Sequence, residues 1–294
     1  TIHVAPAAPP RFPADDPCSK RSRFRFRAGG RRPRRSPPRR PSETVMHETF
    51  AMAFGGKGAN QAVQAALLGA DTRMVAKVGA DAYGAAMRDN FDAVGVDGTH
   101  VTTADAPTGI AVVIVGAEDS TNSIVVVPGA NAELTAADVE DASAIFDGAS
   151  VLLCQMEVPP ETTLRALELA RENNCLSVLN TAPVPPGGVP EALIRAADVV
   201  CPNEVELAEL AGVPGESTKT LEGALAAARV LLDRGAGTVL ATLGGDGALL
   251  VEADAAVHVP AVRGVTAVDT TGAGDSFLGG FAAAVASGAP VVST

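Results

Sequence analysis

An aspartate close to two glycines carries the strongest chemical signal in this chain. The segment DTTGAGD, residues 269–275, lies between a strand-like run and an apolar helix. Gly272 and Gly274 let successive backbone N–H groups point into one concavity, and the N-terminus of the following helix adds its partial positive charge. We therefore expect this turn to bind the oxygens of a phosphoryl group.

Asp275 ends the segment and lies in the first turn of the predicted helix. A carboxylate there repels a phosphate that is merely bound, but it suits a base that takes a proton from an attacking hydroxyl. For an isolated aspartate we would prefer a simpler interpretation, in which it only complements the helix dipole. The neighbouring glycines reverse that preference. We predict phosphoryl transfer with Asp275 as the base and Gly272, Ala273 and Gly274 in the anion-binding turn.

A second glycine-rich turn, GGKGANQ over residues 55–61, precedes another predicted helix. Its glycines allow the backbone to approach a ligand closely, and Asn60 offers a sugar hydroxyl both a donor and an acceptor. The turn is not a Walker A loop, because glycine follows Gly-Lys where serine or threonine is needed. It does not match GxGxxG either. On its own it is a weak signal for sugar binding.

Two further segments follow strand-like runs, and each has two interpretations. Asn203 opens a helix with Glu206 three residues later, which fits a capping box. The same pair fits residues close to a hydrated Mg²⁺ and the phosphates of ATP. The segment TLGGDG, residues 242–247, fits a hairpin turn and also a loop around a nucleotide. Neither segment decides between its interpretations.

Strand-like and helical segments alternate along most of the chain. Strands are predicted near residues 151–155, 176–180, 198–201 and 238–243, with helices between several of them. This alternation predicts an α/β domain whose mostly parallel sheet is covered by helices on both faces. Ligands of such sheets bind beyond the carboxyl ends of the strands. The turns described above should therefore converge at one edge.

The charge of the chain is divided unevenly. Residues 1–44 hold twelve of the 23 Lys and Arg but three of the 34 Asp and Glu, so the remainder is strongly acidic. An acidic body excludes nucleic acid and anionic membranes as partners. The scattered cysteines indicate buried thiols in a reducing compartment, and we expect a cytoplasmic protein.

The Arg- and Pro-rich leader, residues 1–42, should be disordered. It has three interpretations: an organelle transit peptide, which would make the location an organelle, a basic arm for nucleic acid, or a segment that is foreign or truncated.

Taken together, the segments resemble the PfkB carbohydrate kinase family, and the ribokinase branch within it. The matching pieces keep the family's order over about residues 43–290, and they include FGGKGANQAVQAALLGA, CPNEVELAELAG and AVDTTGAGDSFLGG. The resemblance implies a ribokinase-like three-layer sandwich over residues 43–294, with a small β lid over the sugar. It also implies ATP-dependent phosphorylation of D-ribose on its 5-hydroxyl, with Mg²⁺ and K⁺, and a homodimer formed through the lid.

The resemblance also implies site residues. The sugar-binding positions are those of Gly56, Lys57, Gly58, Ala59, Asn60 and Glu157, beside the base Asp275. The ATP-binding positions are those of Asn203, Thr242, Leu243, Gly244, Gly245, Asp246, Gly247 and Gly274. Glu206 matches an acidic residue that acts on Mg²⁺ through water, and Asp269 and Thr271 match part of a K⁺ site.

Two departures from the family pattern put parts of this site in doubt. Family members begin with a core strand that ends in a sugar-binding Asn-x-Asp element, and no such element precedes Gly55. They also continue beyond the last predicted helix with adenine contacts and further cation ligands. We therefore expect a domain that is incomplete at both ends and marginally folded. Two alternatives stay open: another sugar or nucleoside kinase of the family, and an inactive fragment that binds sugar or nucleotide.

Overall fold

The computed structural model of the protein describes residues 2–6, 52–115, 122–267 and 269–289. The strands are β1 (Ile2–Pro6), β2 (Thr72–Gly79), β3 (Val96–Ala104), β4 (Ile110–Val115), β5 (Asn122–Val127), β6 (Ala149–Cys154), β7 (Leu176–Asn180), β8 (Val199–Cys201), β9 (Thr238–Thr242), β10 (Ala248–Val251) and β11 (Ala256–Val259). The helices are α1 (Lys57–Leu67), α2 (Ala82–Val94), α3 (Ala136–Asp141), α4 (Pro160–Glu172), α5 (Glu191–Ala196), α6 (Glu204–Ala211), α7 (Leu221–Asp233) and α8 (Ala273–Ala286).

Nine of these strands form one sheet, in the order β11-β10-β9-β8-β7-β6-β1-β2-β3. The pairs β2–β3, β6–β7, β7–β8 and β8–β9 are parallel. Strands β1 and β10 are antiparallel to both of their neighbours, so the other seven strands run in one direction. The predicted mostly parallel sheet is confirmed.

Helices cover both faces of the sheet, because the buried side chains of its strands alternate between two cores. On β6, Leu152 and Cys154 join a core with residues of α3 to α7. Val151 and Leu153 join a second core with Leu278 of α8. Helices α1 and α2 cover β2 and β3 through a further cluster that contains Phe91. The predicted three-layer sandwich is therefore confirmed.

Strand β1 corrects the expectation that the domain lacks its opening core strand. Its five residues lie between β6 and β2, with Val4 opposite Leu152 on one side and Arg73 on the other. The segment IHVAP precedes the Arg-rich run and contains β-branched residues, which favour strands. Averaging the composition over the whole leader hid this short apolar stretch. The predicted disorder of the rest of the leader lies outside the described residues.

The predicted β lid is present as a separate antiparallel pair of strands, β4 and β5. Its base is tied to the body by Thr108, just before β4. The Thr108 N–H donates to Asp81 Oδ2 at 2.8 Å, and its hydroxyl donates to Asp81 Oδ1 at 2.7 Å. These hydrogen bonds lower the pKa of Asp81, whose carboxylate also caps α2 through the Gly84 N–H. One carboxylate therefore holds the lid and a body helix together.

Three cysteines lie in the described ranges, and all are buried, as predicted. Burial raises the pKa of the Cys154 and Cys175 thiols to about 12, which makes them poor nucleophiles. Cys18 lies outside the described residues. In the part of the chain that the structure describes, we find no helix with the length and apolarity needed to span a bilayer.

Helices α1 and α8 pack closely against each other, although they are far apart in sequence. The contact requires a glycine at position 279: a Cβ added there would lie 2.6 Å from the Gln61 backbone oxygen and 2.7 Å from Gln64 Cβ. Its neighbour Gly280 is different, because an added Cβ would meet its nearest atom, Leu68 Cδ1, at an ordinary 3.7 Å. One missing methyl group therefore sets the distance between the two helices.

We predict that Gly279→Ala lowers the free energy of unfolding by about 1–3 kcal/mol, because the new methyl group overpacks a helix contact. Gly280→Ala is the matched control. It should be neutral or stabilise the protein by up to about 1 kcal/mol, since alanine favours the helix and the space is free. Urea unfolding monitored by circular dichroism measures both values. Equal stability of the two variants would contradict the predicted close contact.

Candidate active site

The predicted motifs converge at the carboxyl ends of β7, β8 and β9. A cleft of about 360 Å³ opens there, between the N-terminal ends of α6 and α8. Its walls include Lys57, Asn180, Asn203, Glu206, Thr242 and Asp275. This position agrees with the rule that ligands of parallel sheets bind beyond the carboxyl ends of the strands.

Asp275 lies in the first turn of α8, and only 7% of its surface is exposed. Two side-chain amides hold its carboxylate. Asn60 Nδ2 donates to Oδ2 at 2.9 Å, and Gln61 Nε2 donates to Oδ1 at 3.0 Å. Each carboxylate oxygen keeps a further lone pair, so the group can still accept a proton from a hydroxyl in the cleft.

The turn before α8 has the geometry of an anion site, with one difference from the prediction. Gly272 caps the helix in the left-handed region, at φ 71°, where glycine is favoured. The Ala273 N–H donates to the Thr270 carbonyl at 3.1 Å, so it is not free to bind an anion as predicted. Within the described ranges, the N–H groups of Gly272, Gly274 and Asp275 have no acceptor. These three can face a phosphoryl oxygen.

The first glycine-rich turn lies beside the carboxylate of Glu157, which follows β6. The Lys57 N–H donates to Glu157 Oε2 at 2.8 Å, and Gly56 adopts φ 94° at the start of α1. Gly58 and Ala59 are buried within α1, and the Ala59 side chain packs in the core with Met74. Of the predicted sugar residues, Lys57 and Asn60 therefore approach Asp275 and its cleft, whereas the Ala59 side chain points into the core.

Asn203 and Glu206 form the capping box that their spacing predicts. Glu206 Oε2 accepts from the Asn203 N–H and from the Thr181 hydroxyl, both at 3.0 Å. Glu206 Oε1 accepts from Asn203 Nδ2 at 2.8 Å. Because both oxygens already have donors, this carboxylate fits a contact to a water of hydrated Mg²⁺ better than direct ligation. The described ranges contain no group of three or more acidic, histidine or cysteine residues that could hold a metal alone.

The segment TLGGDG fits both of its interpretations. Residues 244–246 form a single 3₁₀ turn between β9 and β10, closed by the Leu243 N–H to the Gly247 carbonyl at 2.8 Å. Thr242 and Gly244 line the cleft, whereas the Leu243 side chain is buried in the core. Gly245, Asp246 and Gly247 complete the turn away from the cleft wall. The hairpin is thus what brings part of the segment to the cleft.

Asp269 and Thr271 lie on the exposed side of the turn before α8. The Thr271 N–H donates to Asp269 Oδ1 at 2.9 Å, and this hydrogen bond lowers the pKa of Asp269. The other carboxylate oxygen and the Thr271 hydroxyl are oxygens of the kind that a hard cation prefers as ligands. Their neighbour Thr270 lines the cleft instead.

Four buried or half-buried polar residues around Asp275 and Glu206 were given no role by the sequence: Gln61, Gln155, Asn180 and Thr181. Gln155 directly follows β6, Asn180 ends β7, and Thr181 follows it. Polar residues at the ends of otherwise apolar strands were the signal that could have revealed three of them.

The comparison with known families decides the assignment. The family model described as "pfkB family carbohydrate kinase" matches residues 33–294. The chain belongs to this family. Its sequence is 40% identical over 244 residues to a ribokinase of Mus musculus, a match that covers 82% of this chain and 73% of that protein. It is 38% identical over 241 residues to a deoxyribokinase of Salmonella typhi, covering 82% of this chain and 77% of that protein.

Solved structures of pfkB relatives have the same fold. The structure of Arabidopsis thaliana ribokinase in complex with ribose and ATP superimposes with a TM-score of 0.76 at 31% identity. The alignment covers 87% of this chain and 82% of that protein. The ribokinase-like fold predicted from the sequence is therefore confirmed.

Proposed function

We propose that the protein transfers the γ-phosphoryl group of ATP to the 5-hydroxyl of D-ribose. One observation carries the proposal: the buried Asp275 carboxylate lies at the N-terminus of α8 and at the wall of the cleft, beside N–H groups that have no acceptor among the described residues. A base and an anion site side by side suit the transfer of a phosphoryl group to a hydroxyl. The ribokinase relatives support ribose as the acceptor and ATP as the donor.

In this proposal the sugar lies between α1 and α8. Its 5-hydroxyl donates its proton to Asp275 as the oxygen forms a bond to the γ-phosphorus. The bond from that phosphorus to the bridging oxygen breaks in line, and ADP leaves. Asn60 and Glu157 offer an amide and a carboxylate to the other hydroxyls, and Lys57 adds a positive charge to the cleft.

The nucleotide occupies the part of the cleft near Asn203, Thr242 and Gly244. The N–H groups of Gly274 and Asp275, at the positive end of α8, face the oxygens of the transferred group. Mg²⁺ bound with ATP would offset the charge of its phosphates, and Glu206 would hold one of its waters. Asp269 and Thr271 would contribute to a K⁺ site.

The lid also supports a homodimer. Ile110 lies opposite Val127, and Val112 lies opposite Val125, so these four side chains share one face of the two-stranded sheet. All four are between 44% and 55% exposed. We propose that the same face of a second copy covers them, because contiguous exposed apolar surface marks an interaction site.

Asp275→Asn should lower kcat for ribose phosphorylation by about 10²–10⁴-fold, because the amide cannot accept the hydroxyl proton. Ribose affinity, measured by calorimetry, should change little. Thermal melting of the variant provides the control for folding. A variant that keeps most of its kcat would refute Asp275 as the base.

Ribose should have a higher kcat/KM than fructose and adenosine, because a site built from hydrogen-bonding groups rejects ligands that leave them unpaired. A coupled assay of ADP release measures all three acceptors, with 2-deoxy-D-ribose as a fourth. A higher kcat/KM for adenosine would make the protein a nucleoside kinase. A higher value for 2-deoxy-D-ribose would favour the activity named for the Salmonella relative.

Val112→Lys should convert the proposed dimer to a monomer, because it places a charge in the apolar face. Ala111→Lys puts the same charge on the opposite, exposed face of the same strand and should leave the dimer intact. Sedimentation velocity distinguishes the two states. A monomeric protein without either substitution would exclude the dimer.

A further inference from the structure

Gln61 contacts the proposed base although it does not line the cleft. It follows Asn60 in α1, and its side chain is fully buried. Its Nε2 donates to Asp275 Oδ1 at 3.0 Å and lies 3.4 Å from Asn180 Oδ1. A buried glutamine close to the base therefore has no access to sugar or nucleotide, and its contact with Asp275 needs another explanation.

The orientation of the Gln61 amide is fixed by the groups on its two sides. A carboxylate only accepts hydrogen bonds, so the amide nitrogen must face Asp275. The amide oxygen then points away from the base, and it accepts a hydrogen bond from Gln155 Nε2 at 2.7 Å. Asn180 supports the same orientation of the Gln61 amide. The Asn180 Nδ2 donates to the Cys201 carbonyl at 3.0 Å, which leaves the Asn180 oxygen facing Gln61 Nε2.

Gln155 shows that Asp275 sets the orientation of both glutamine amides. Gln155 is fully buried, and its Oε1 has no partner in the part of the chain that the structure describes. Leaving a buried oxygen unpaired is costly. Turning both amides around would aim an amide oxygen at the carboxylate, which costs more because a charged group would lose a donor.

We propose that Gln61 and Gln155 are positioning residues that fix the plane of the Asp275 carboxylate for proton transfer. This inference rests on the proposed role of Asp275 as base. The torsion that rotates a carboxylate is broad, so a single donor leaves the plane free to turn. Asn60 holds Oδ2, Gln61 holds Oδ1, and Gln155 keeps the Gln61 amide from turning. The oxygen lone pair that receives the proton is thereby aimed at the cleft.

Gln61→Met should reduce kcat for ribose phosphorylation by about 10- to 100-fold, the value of one hydrogen bond to a charged group, with ribose affinity unchanged within about twofold. Gln155→Met should reduce kcat by about tenfold or less, because it acts through Gln61. Gln64→Met is the matched control. It makes the same change one turn later in α1, where Gln64 packs against α8 and makes no hydrogen bond to Asp275, and it should leave kcat unchanged.

The double variant tests whether Gln155 acts on Asp275 only through Gln61. We call this indirect action the relay, and the alternative is two independent structural effects. If Gln155 acts only through Gln61, adding Gln155→Met to Gln61→Met should cause no further loss of kcat. A further loss equal to that of the single Gln155→Met variant would overturn the relay. A loss of kcat in Gln61→Met that only matches a loss of folded protein, or that comes with an equal loss of ribose affinity, would also overturn it.

A measurement that does not depend on catalysis tests this inference separately from the proposed function. The side-chain amide signals of Gln61 and Gln155 in nitrogen–proton spectra should both shift in the Asp275→Asn variant, and the Gln155 signal should also shift in Gln61→Met. Absence of ribose phosphorylation by the unmodified protein would refute the proposed function, while these shifts would still test the relay. An unmoved Gln155 signal in both variants would overturn the relay.

Discussion

The contact between α1 and α8 is the constraint on which the rest of the site depends. Asn60 and Asp275 are separated by 215 positions in the chain, and they meet only because the two helices pack side by side. Gly279 permits that approach, since any side chain would strike the backbone of Gln61. The same contact places the glycine-rich turn of α1 beside the proposed anion site of α8. Sugar and phosphoryl group can therefore be brought together.

The close contact also explains why side-chain amides hold Asp275, the proposed base. A carboxylate that is 7% exposed loses most of its water and needs protein donors instead. Lysine or arginine donors would add positive charge and weaken its attraction for a proton, whereas amides supply donors without net charge. Neutral donors keep the carboxylate in place while leaving it able to act as a base. The fully buried Gln61 suits this purpose because it binds no ligand itself.

The fold and the location of the site could be predicted from the sequence because both follow from regular patterns. The alternation of strands and helices predicted the sheet, and DTTGAGD predicted the turn before α8. Predictions were wrong where a local pattern was hidden or a contact was distant. Strand β1 was missed inside a basic leader, and the Ala273 N–H is taken by Thr270. The pairing of Gln61 with Asp275 depends on packing between helices, which no spacing in the sequence expresses.

Glu206 shows that a structural and a functional interpretation of one residue need not compete. The sequence allowed either a capping box or a group near Mg²⁺, and the capping box is present. Its hydrogen bonds from Asn203 and Thr181 fix both carboxylate oxygens at the wall of the cleft. A group that orients the water of a metal must itself be held still, as outer-shell residues of metal sites are. The cap supplies that rigidity, so the bonds that begin α6 also prepare Glu206 for its proposed task.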